Sequence, residues 1–179
     1  MHKKKIFVEI AIPQQMRKRL IEKTTQWPAL PVKWVKENNL HITVSFIGYV
    51  DESIIPEICQ KIREVTDNFE SFEINFNSIE LGPSTEDPKM IWLSGEPNPE
   101  LGRLNEAIED ALGMHPQKHK NFRPHITLGR IRKLKWDELP KKPVIDEKIN
   151  LAMTADSVFV MESKGGESEY NKLEECILL

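Results

Sequence analysis

The chain carries one four-residue pattern twice, and each copy combines an imidazole with a hydroxyl. Residues 41–44 read HITV and residues 125–128 read HITL. In a β-strand, residues two positions apart point to the same side. The His and Thr of each copy therefore share one face, and the apolar residues beside them share the other. On this alternation Phe46 is expected on the apolar face with Ile42 and Val44.

Two such pairs suit phosphoester chemistry without a metal ion. Imidazole titrates near neutral pH, so one histidine can accept a proton while the other donates one. An in-line displacement at phosphorus needs a base on the attacking side and an acid on the leaving side. A single histidine beside an apolar run is more often structural, but the duplication favours a function for both His41 and His125. Thr43 and Thr127 would bind the non-bridging phosphate oxygens as negative charge develops there.

Arg130 follows the second copy by a few residues. Strict alternation places its side chain on the apolar face with Leu128, unless Gly129 marks a β-bulge or a strand end that turns it. A guanidinium suits phosphate binding. From spacing alone, a solvent-exposed arginine at a strand end explains Arg130 equally well.

The same residues are poor metal ligands, and the sequence predicts neither a metal nor a cofactor. Threonine binds metals weakly, and neither copy has a carboxylate at ligand spacing. His115 and His119 are four residues apart, but Pro116 lies between them and no glutamate accompanies them. The two cysteines, Cys59 and Cys176, are far apart, which predicts reduced thiols in a cytoplasmic protein.

Alternating strands and amphipathic helices must position these residues. Short helices are predicted after Pro13, over residues 53–68 and over residues 99–113, where Gly113 ends the helix. Several half-polar strands favour antiparallel pairing, so the predicted fold class is α+β. The strands are expected at residues 5–12, 40–48, 71–81, 89–94, 124–131, 149–161 and 173–178.

The two copies lie 84 residues apart, close to half of the 179-residue chain. This spacing predicts two lobes related by an internal repeat within one domain of residues 1–179, with one His-x-Thr (HxT) strand in each lobe. No apolar run is long enough to span a membrane. The formal net charge is −3, which argues against bulk nucleic-acid binding.

The charge is distributed unevenly along the chain. Residues 111–135 hold seven basic residues and no acidic one, and residues 1–36 carry a net charge of +7. These segments adjoin the two HxT strands. The pattern predicts a basic rim that would steer a phosphate-bearing RNA end into the cleft, although solvated surface lysines also explain it.

Around these motifs the chain resembles the two-histidine phosphoesterases. The resemblance is closest to the RNA 2′,3′-cyclic phosphodiesterases, formerly called 2′-5′ RNA ligases. The segments that carry it are KIFVEIAIP, WVKENNLHITVSFIG, MIWLSG, FRPHITLGR and, weakly, SKGGESEY. It implies a bilobal α+β fold with a pseudo-twofold internal repeat, in which two antiparallel β-sheets face a central cleft and the helices lie outside.

The resemblance also implies an activity and residue roles. The expected reaction opens a 2′,3′-cyclic phosphate at an RNA 3′ end to a 2′-phosphate without metal, with reverse 2′-5′ ligation as a further activity. It implies that His41 is the proton donor to the departing 3′ oxygen and that His125 is the proton acceptor that activates water. Thr43, Thr127 and Arg130 are expected to bind the phosphate. The protein is expected to be a cytoplasmic monomer without a membrane partner.

Two alternatives remain open at this point. The same site could act on a small cyclic nucleotide phosphate, which a comparison of rates on a mononucleotide and an oligomer would reveal. A module that binds RNA ends without catalysis would show tight binding and no turnover, although both HxT copies are intact.

Overall fold

The computed structural model describes residues 2–114, 122–165 and 169–179. These ranges contain nine β-strands, four α-helices and two short 3-10 turns. The strands are β1 (Lys3–Ala11), β2 (Val32–Trp34), β3 (His41–Asp51), β4 (Phe72–Gly82), β5 (Met90–Ser94), β6 (His125–Ile131), β7 (Asp146–Ala155), β8 (Ser157–Ser163) and β9 (Tyr170–Ile177). The helices are α1 (Gln14–Thr24), α2 (Ile55–Thr66), α3 (Pro99–Ala111) and α4 (Lys133–Asp137).

The strands form one antiparallel sheet in the order β7-β4-β5-β6-β3-β1-β8-β9, and β2 pairs with β6 outside this path. The HxT strands β3 and β6 meet at the centre through one register pair, Ile42 with Ile126. This junction divides the sheet into a first half (β3, β1, β8, β9) and a second half (β6, β5, β4, β7). The predicted α+β class is confirmed. The two sheets that the resemblance implied are two halves of one continuous sheet, because the HxT strands pair where they begin.

The order of elements matches the predicted internal repeat. The first unit runs β1–α1–β2–β3–α2, and the second runs β5–α3–β6–α4, so the units differ by the short strand β2. After the first unit the chain crosses to the second half, where β4 pairs with β5. After the second unit, β7 stays in the second half by pairing with β4, and β8 then crosses to the first half by pairing with β1. Each half therefore contains strands from both parts of the sequence, which ties the halves together.

The alternation of β1 separates a core face from a cleft face. Ile6, Val8 and Ile10 are buried among the apolar residues of the core, and Phe7 and Glu9 point to the opposite side. Helices α2 and α3 contribute apolar residues to the same core, among them Ile58, Ile62, Leu101, Leu104 and Ile108. The helices thus cover one face of the sheet and leave the HxT face open.

Helix α3 has a defined cap at each end, and the one at its C-terminal end is the predicted Gly113. The Asn98 side chain accepts a hydrogen bond from the Leu101 amide at 2.9 Å, which caps the first turn. Gly113 follows the last turn with a φ of +68°, a conformation that favours glycine.

One predicted strand is wrong in its extent. Residues 149–161 form parts of two strands, β7 and β8, which are separated at Asp156. The buried residues change phase at this point, from Met153 and Ala155 to Val158 and Val160. Strand β7 pairs with β4 in the second half, and β8 pairs with β1 in the first half. The sequence also did not indicate β2 or α4, which are too short to show a period.

Cys59 and Cys176 are both buried and neither forms a disulfide, as predicted. Among the described residues, no helix has the length and apolar character needed to cross a membrane. His115 and His119 lie outside the described residues, as do Lys118 and Lys120 of the basic segment.

Candidate active site

The two HxT motifs lie side by side where the halves of the sheet meet. Because β3 and β6 are antiparallel and pair at Ile42 and Ile126, one step along the register places His41 across from Thr127 and Thr43 across from His125. A cavity of about 310 Å³ opens at this point. All five predicted site residues line it: His41, Thr43, His125, Thr127 and Arg130.

Strand β3 contains a β-bulge directly after its HxT motif. Thr43 and Ser45 pair with consecutive residues of β1, so Val44 is skipped in the register. A bulge adds a residue to one strand and reverses the alternation of the side chains that follow. Phe46 is therefore 69% exposed and lines the cavity, and its predicted place on the apolar face with Ile42 and Val44 is wrong.

Strand β6 contains a bulge at the equivalent position. Thr127 and Gly129 pair with consecutive residues of β5, so Leu128 is skipped. The bulge suggested by Gly129 is confirmed, and it turns Arg130 into the cavity. Glycine is needed here because β2 packs closely: a Cβ on Gly129 would lie 2.4 Å from Cγ1 of Val32.

Each bulge is held by a hydrogen bond to the carbonyl of the skipped residue. In β3 the side-chain amide of Asn105, on α3, donates to the Val44 carbonyl at 2.7 Å. In β6 the backbone N–H of Val35 donates to the Leu128 carbonyl at 2.8 Å. Asn105 also donates to the Glu109 carboxylate at 3.0 Å. The bulges remove these two carbonyls from the hydrogen-bond ladder of the sheet. Because each carbonyl has another donor, the surrounding structure stabilises both bulges.

The ring of His41 has a defined orientation. Its Nδ1 lies 2.7 Å from the carbonyl oxygen of Asn39, and since a carbonyl only accepts, Nδ1 carries the hydrogen. Nε2 lies 3.1 Å from Oγ1 of Thr43, so it is the nitrogen that faces the cavity and can exchange a proton with a ligand. Burial lowers the pKa of His41, and the hydrogen bond to the Asn39 backbone offsets part of this effect. The charge of Arg130, and that of His125 when it is protonated, lower the pKa further.

A carboxylate that the sequence analysis did not select lies next to His41. Oε2 of Glu9 is 3.7 Å from Nδ1 of His41, and the residue is only 9% exposed. Burial raises the pKa of Glu9 to about 7. The only signal in the sequence is an acidic residue within the apolar run IFVEIAI. Phe7 and Tyr170 enclose the same imidazole, with ring centroids 5.4 Å and 5.7 Å from it.

His125 has different neighbours. The indole of Trp92 lies against its ring at a centroid distance of 4.6 Å. Burial lowers the pKa of His125, and a hydrogen bond from the ring to the backbone of Arg123 offsets part of this effect. Thr127 donates only a weak hydrogen bond, 3.6 Å long, to Sδ of Met90.

Positive charge surrounds the opening of the cavity. Lys5, Lys33, Lys36 and Arg130 line it, and they come from both basic segments of the sequence. Such a concentration of positive charge in a cleft attracts anionic ligands. Among the described residues, no three His, Cys, Asp or Glu side chains are grouped so that they could hold a metal ion.

Comparison with known proteins gives consistent matches. The family model of the 2′-5′ RNA ligase superfamily matches residues 12–167. The chain is 30% identical over 139 residues to an RNA 2′,3′-cyclic phosphodiesterase of Thermotoga maritima, covering 74% of each chain. It is 29% identical over 131 residues to the protein of the same name from Archaeoglobus fulgidus, covering 72% of this chain and 73% of that one.

Solved structures share the fold. A protein of Thermus thermophilus superposes with a TM-score of 0.78 at 23% identity, over 97% of both chains. LigT of E. coli, solved in complex with 3′-AMP, superposes with a TM-score of 0.77 at 19% identity, over 99% of both chains. At this level of identity these structures establish the architecture.

Proposed function

Since this chain belongs to the 2′-5′ RNA ligase superfamily, we propose that it hydrolyses the 2′,3′-cyclic phosphate at RNA 3′ ends to a 2′-phosphomonoester. The observation that carries the proposal is the pairing of the two HxT strands, which brings both histidines and both threonines to one cavity. The basic lining supports an anionic substrate. The name shared by the relatives in Thermotoga and Archaeoglobus supports the same reaction.

In the proposed reaction one P–O bond forms and one breaks. His125, neutral at its cavity-facing nitrogen, takes a proton from water as the water oxygen attacks phosphorus. The bond from phosphorus to the 3′ oxygen breaks, and His41 gives its Nε2 proton to that oxygen. The product carries a 2′-phosphate and a 3′-hydroxyl, and solvent exchange returns the histidines to their starting states.

Three further residues would bind the phosphate. Thr43 and Thr127 present hydroxyls on the same face as the histidines, and Arg130 reaches the cavity from the β6 bulge. A guanidinium and two hydroxyls can stabilise the negative charge that grows on the non-bridging oxygens.

The proposed catalytic unit is a single bilobal domain of residues 1–179, and it acts as a cytoplasmic monomer without a metal ion or membrane partner. The crossing of β4 and β8 between the halves supports one cooperative unit. Sedimentation at micromolar concentration tests the monomer, and a single unfolding transition tests the domain.

The activity test uses an RNA oligonucleotide with a 2′,3′-cyclic phosphate end in buffer containing EDTA. The expected product is the 2′-phosphomonoester, formed at a rate that falls as salt rises. The double variant of both histidines to alanine, tested on the same RNA, is the control for contaminating activity. No opening of the ring, or opening only after a metal is added, would contradict the proposal.

The second candidate function is hydrolysis of a small cyclic nucleotide phosphate. The cavity volume of about 310 Å³ favours it, because this volume is at the lower end of the range for small-ligand sites. The ratio of kcat/KM for a 2′,3′-cyclic mononucleotide and for the oligonucleotide separates the two. Tight RNA binding without turnover would instead indicate a binding module.

A further inference from the structure

We propose that Glu9 is a positioning residue whose carboxylate keeps His41 protonated at Nε2 for the leaving-group step. The inference deepens the proposed function, because it rests on His41 as the proton donor. Glu9 lies beside the imidazole on the side away from Nε2, so it would act on the substrate only through His41.

The proposed acid has an unfavourable environment without a counter-charge. Burial lowers the pKa of His41, the hydrogen bond to the Asn39 backbone offsets part of this effect, and the charge of Arg130 lowers the pKa further. A lowered pKa suits His125, which must be neutral to accept a proton. It does not suit His41, which must hold a proton until the 3′ oxygen departs.

The geometry supplies that counter-charge. Glu9 Oε2 is 3.7 Å from Nδ1 of His41, which is too long for a hydrogen bond but close enough for a strong electrostatic effect in a buried site. Nδ1 already donates to the Asn39 carbonyl. Glu9 therefore acts through its charge, while the carbonyl fixes the orientation of the ring.

The Glu9 carboxylate in turn needs the imidazolium. Its Oε2 is buried and has no hydrogen-bond partner among the described residues, and a buried charge without a partner is costly. Ionisation of Glu9 is therefore favourable when His41 is charged. A charged imidazole would in the same way be stabilised by the Glu9 carboxylate, so each group favours the charged form of the other.

Other groups surround this pair. On β8, Phe159 pairs with Glu9, and Nζ of Lys172 on β9 lies 5.2 Å from the centre of the Phe159 ring. Lys172 also pairs with Glu175 at 3.1 Å. Lys5 lies on the same face of β1, towards the opening of the cavity.

The face of β9 adds Tyr170, which contacts the His41 ring edge-on. On β6, His125 and Arg130 face the pair across the cavity. The charge of Arg130, and that of His125 when it is protonated, oppose protonation of His41, and the carboxylate of Glu9 would offset them.

The second half of the sheet provides an internal comparison. Glu9 pairs with Thr43 in the register of β1 and β3, and Trp92 pairs with Thr127 in the register of β5 and β6. Glu9 and Trp92 therefore occupy equivalent positions in the repeat. The carboxylate lies beside the proposed acid, and an uncharged indole lies beside the proposed base.

The test compares Glu9→Gln with the wild type by two independent measurements. NMR titration of the His41 ring, assigned with His41→Gln, is expected to show a lower pKa in the variant. The basic limb of the pH–rate profile is expected to move to lower pH in the variant, so that kcat at pH 8 falls about tenfold for each unit by which the pKa of His41 falls. Glu162→Gln is the matched control, because Glu162 is also a buried carboxylate, is 8% exposed and does not line the cavity.

The possible outcomes distinguish a failure of this inference from a failure of the proposed function. A wild type that is inactive on cyclic phosphate, combined with a lowered His41 pKa in Glu9→Gln, would reject the activity and retain the pair. An active wild type with an unchanged His41 pKa in Glu9→Gln would overturn the inference. If the glutamine variant does not fold, Glu9→Ala gives the same readout, because it removes the carboxylate and leaves no new polar atom to satisfy.

Discussion

The two HxT strands share a backbone and differ in the side chains around it. Each begins at its histidine, and each imidazole hydrogen-bonds to the backbone two residues earlier, at Asn39 or Arg123. Each strand then bulges directly after its threonine. The repeated backbone places two equivalent imidazoles beside one cavity.

The neighbours of the two strands make these imidazoles unequal. Beside His41 lies Glu9, and beside His125 the equivalent position is Trp92. The repeat thus positions two equivalent imidazoles, and the residues around each copy give the proposed acid and the proposed base different environments.

The residues after the bulges differ in the same way. The β3 bulge turns Phe46 towards the cavity, and the β6 bulge turns Arg130 towards it. The two bulges thus place an aromatic ring and a guanidinium at equivalent positions of the cavity lining. A phosphate bound near Arg130 would be accessible to both imidazoles.

The largest effect is expected from removing either imidazole. His41→Ala and His125→Ala should each lower kcat by roughly 100-fold or more, as is typical for general acid–base groups. Because His125 must be neutral, the wild-type rate should rise with pH through its pKa. Because His41 must be protonated, the rate should fall above the pKa of His41, and His41→Ala should remove this basic limb.

The pH–rate profile of cyclic-phosphate hydrolysis measures both limbs. His2→Ala is the control, because His2 is exposed at the N-terminus. Near-full activity in either site variant would remove that histidine from the mechanism.

A smaller effect is expected at the residues that the bulges turn. Arg130→Gln should lower kcat/KM roughly 10- to 100-fold, because it removes charged hydrogen bonds to the phosphate. Phe46→Ala, at the equivalent position, should have a smaller effect and keep the salt dependence of the wild type. Steady-state kinetics at low and high salt measure both variants, and equal losses would show that the two bulges do not divide their roles.

The smallest effect on turnover, with a clear effect on stability, is expected at Asn105, whose side chain donates to the carbonyl in the β3 bulge. Asn105→Ala leaves the Val44 carbonyl without its donor and should lower the free energy of unfolding by about 2 kcal/mol. The β6 bulge has no such variant, because its donor is the backbone N–H of Val35.

Urea unfolding measures the change. Asn68→Ala is the matched control: its amide also donates to a backbone carbonyl, that of Glu64 at 3.0 Å, but it is exposed and should change stability by less than about 0.5 kcal/mol. If both variants unfold at the same urea concentration, Asn105 does not hold the bulge.

The sequence predicted the parts of this site that depend on local alternation. The HxT spacing placed His41 with Thr43 and His125 with Thr127, and the structure brings all four to one cavity. Gly129 signalled its bulge because only glycine fits beneath Val32. The prediction for Phe46 was wrong because no glycine marks the β3 bulge. Asn105, which donates to the carbonyl in that bulge, lies 61 residues from Val44 in the sequence.

The sequence by itself determined which residues face the same way along each strand, because the period of two follows from backbone geometry. It could not determine the register of β3 against β6, the division of residues 149–161 between two halves, or the carboxylate beside His41. These were decided by the tertiary structure, because each depends on contacts between strands or helices far apart in the chain. The chemistry proposed for Glu9 follows from such a contact, with an imidazole 32 residues away.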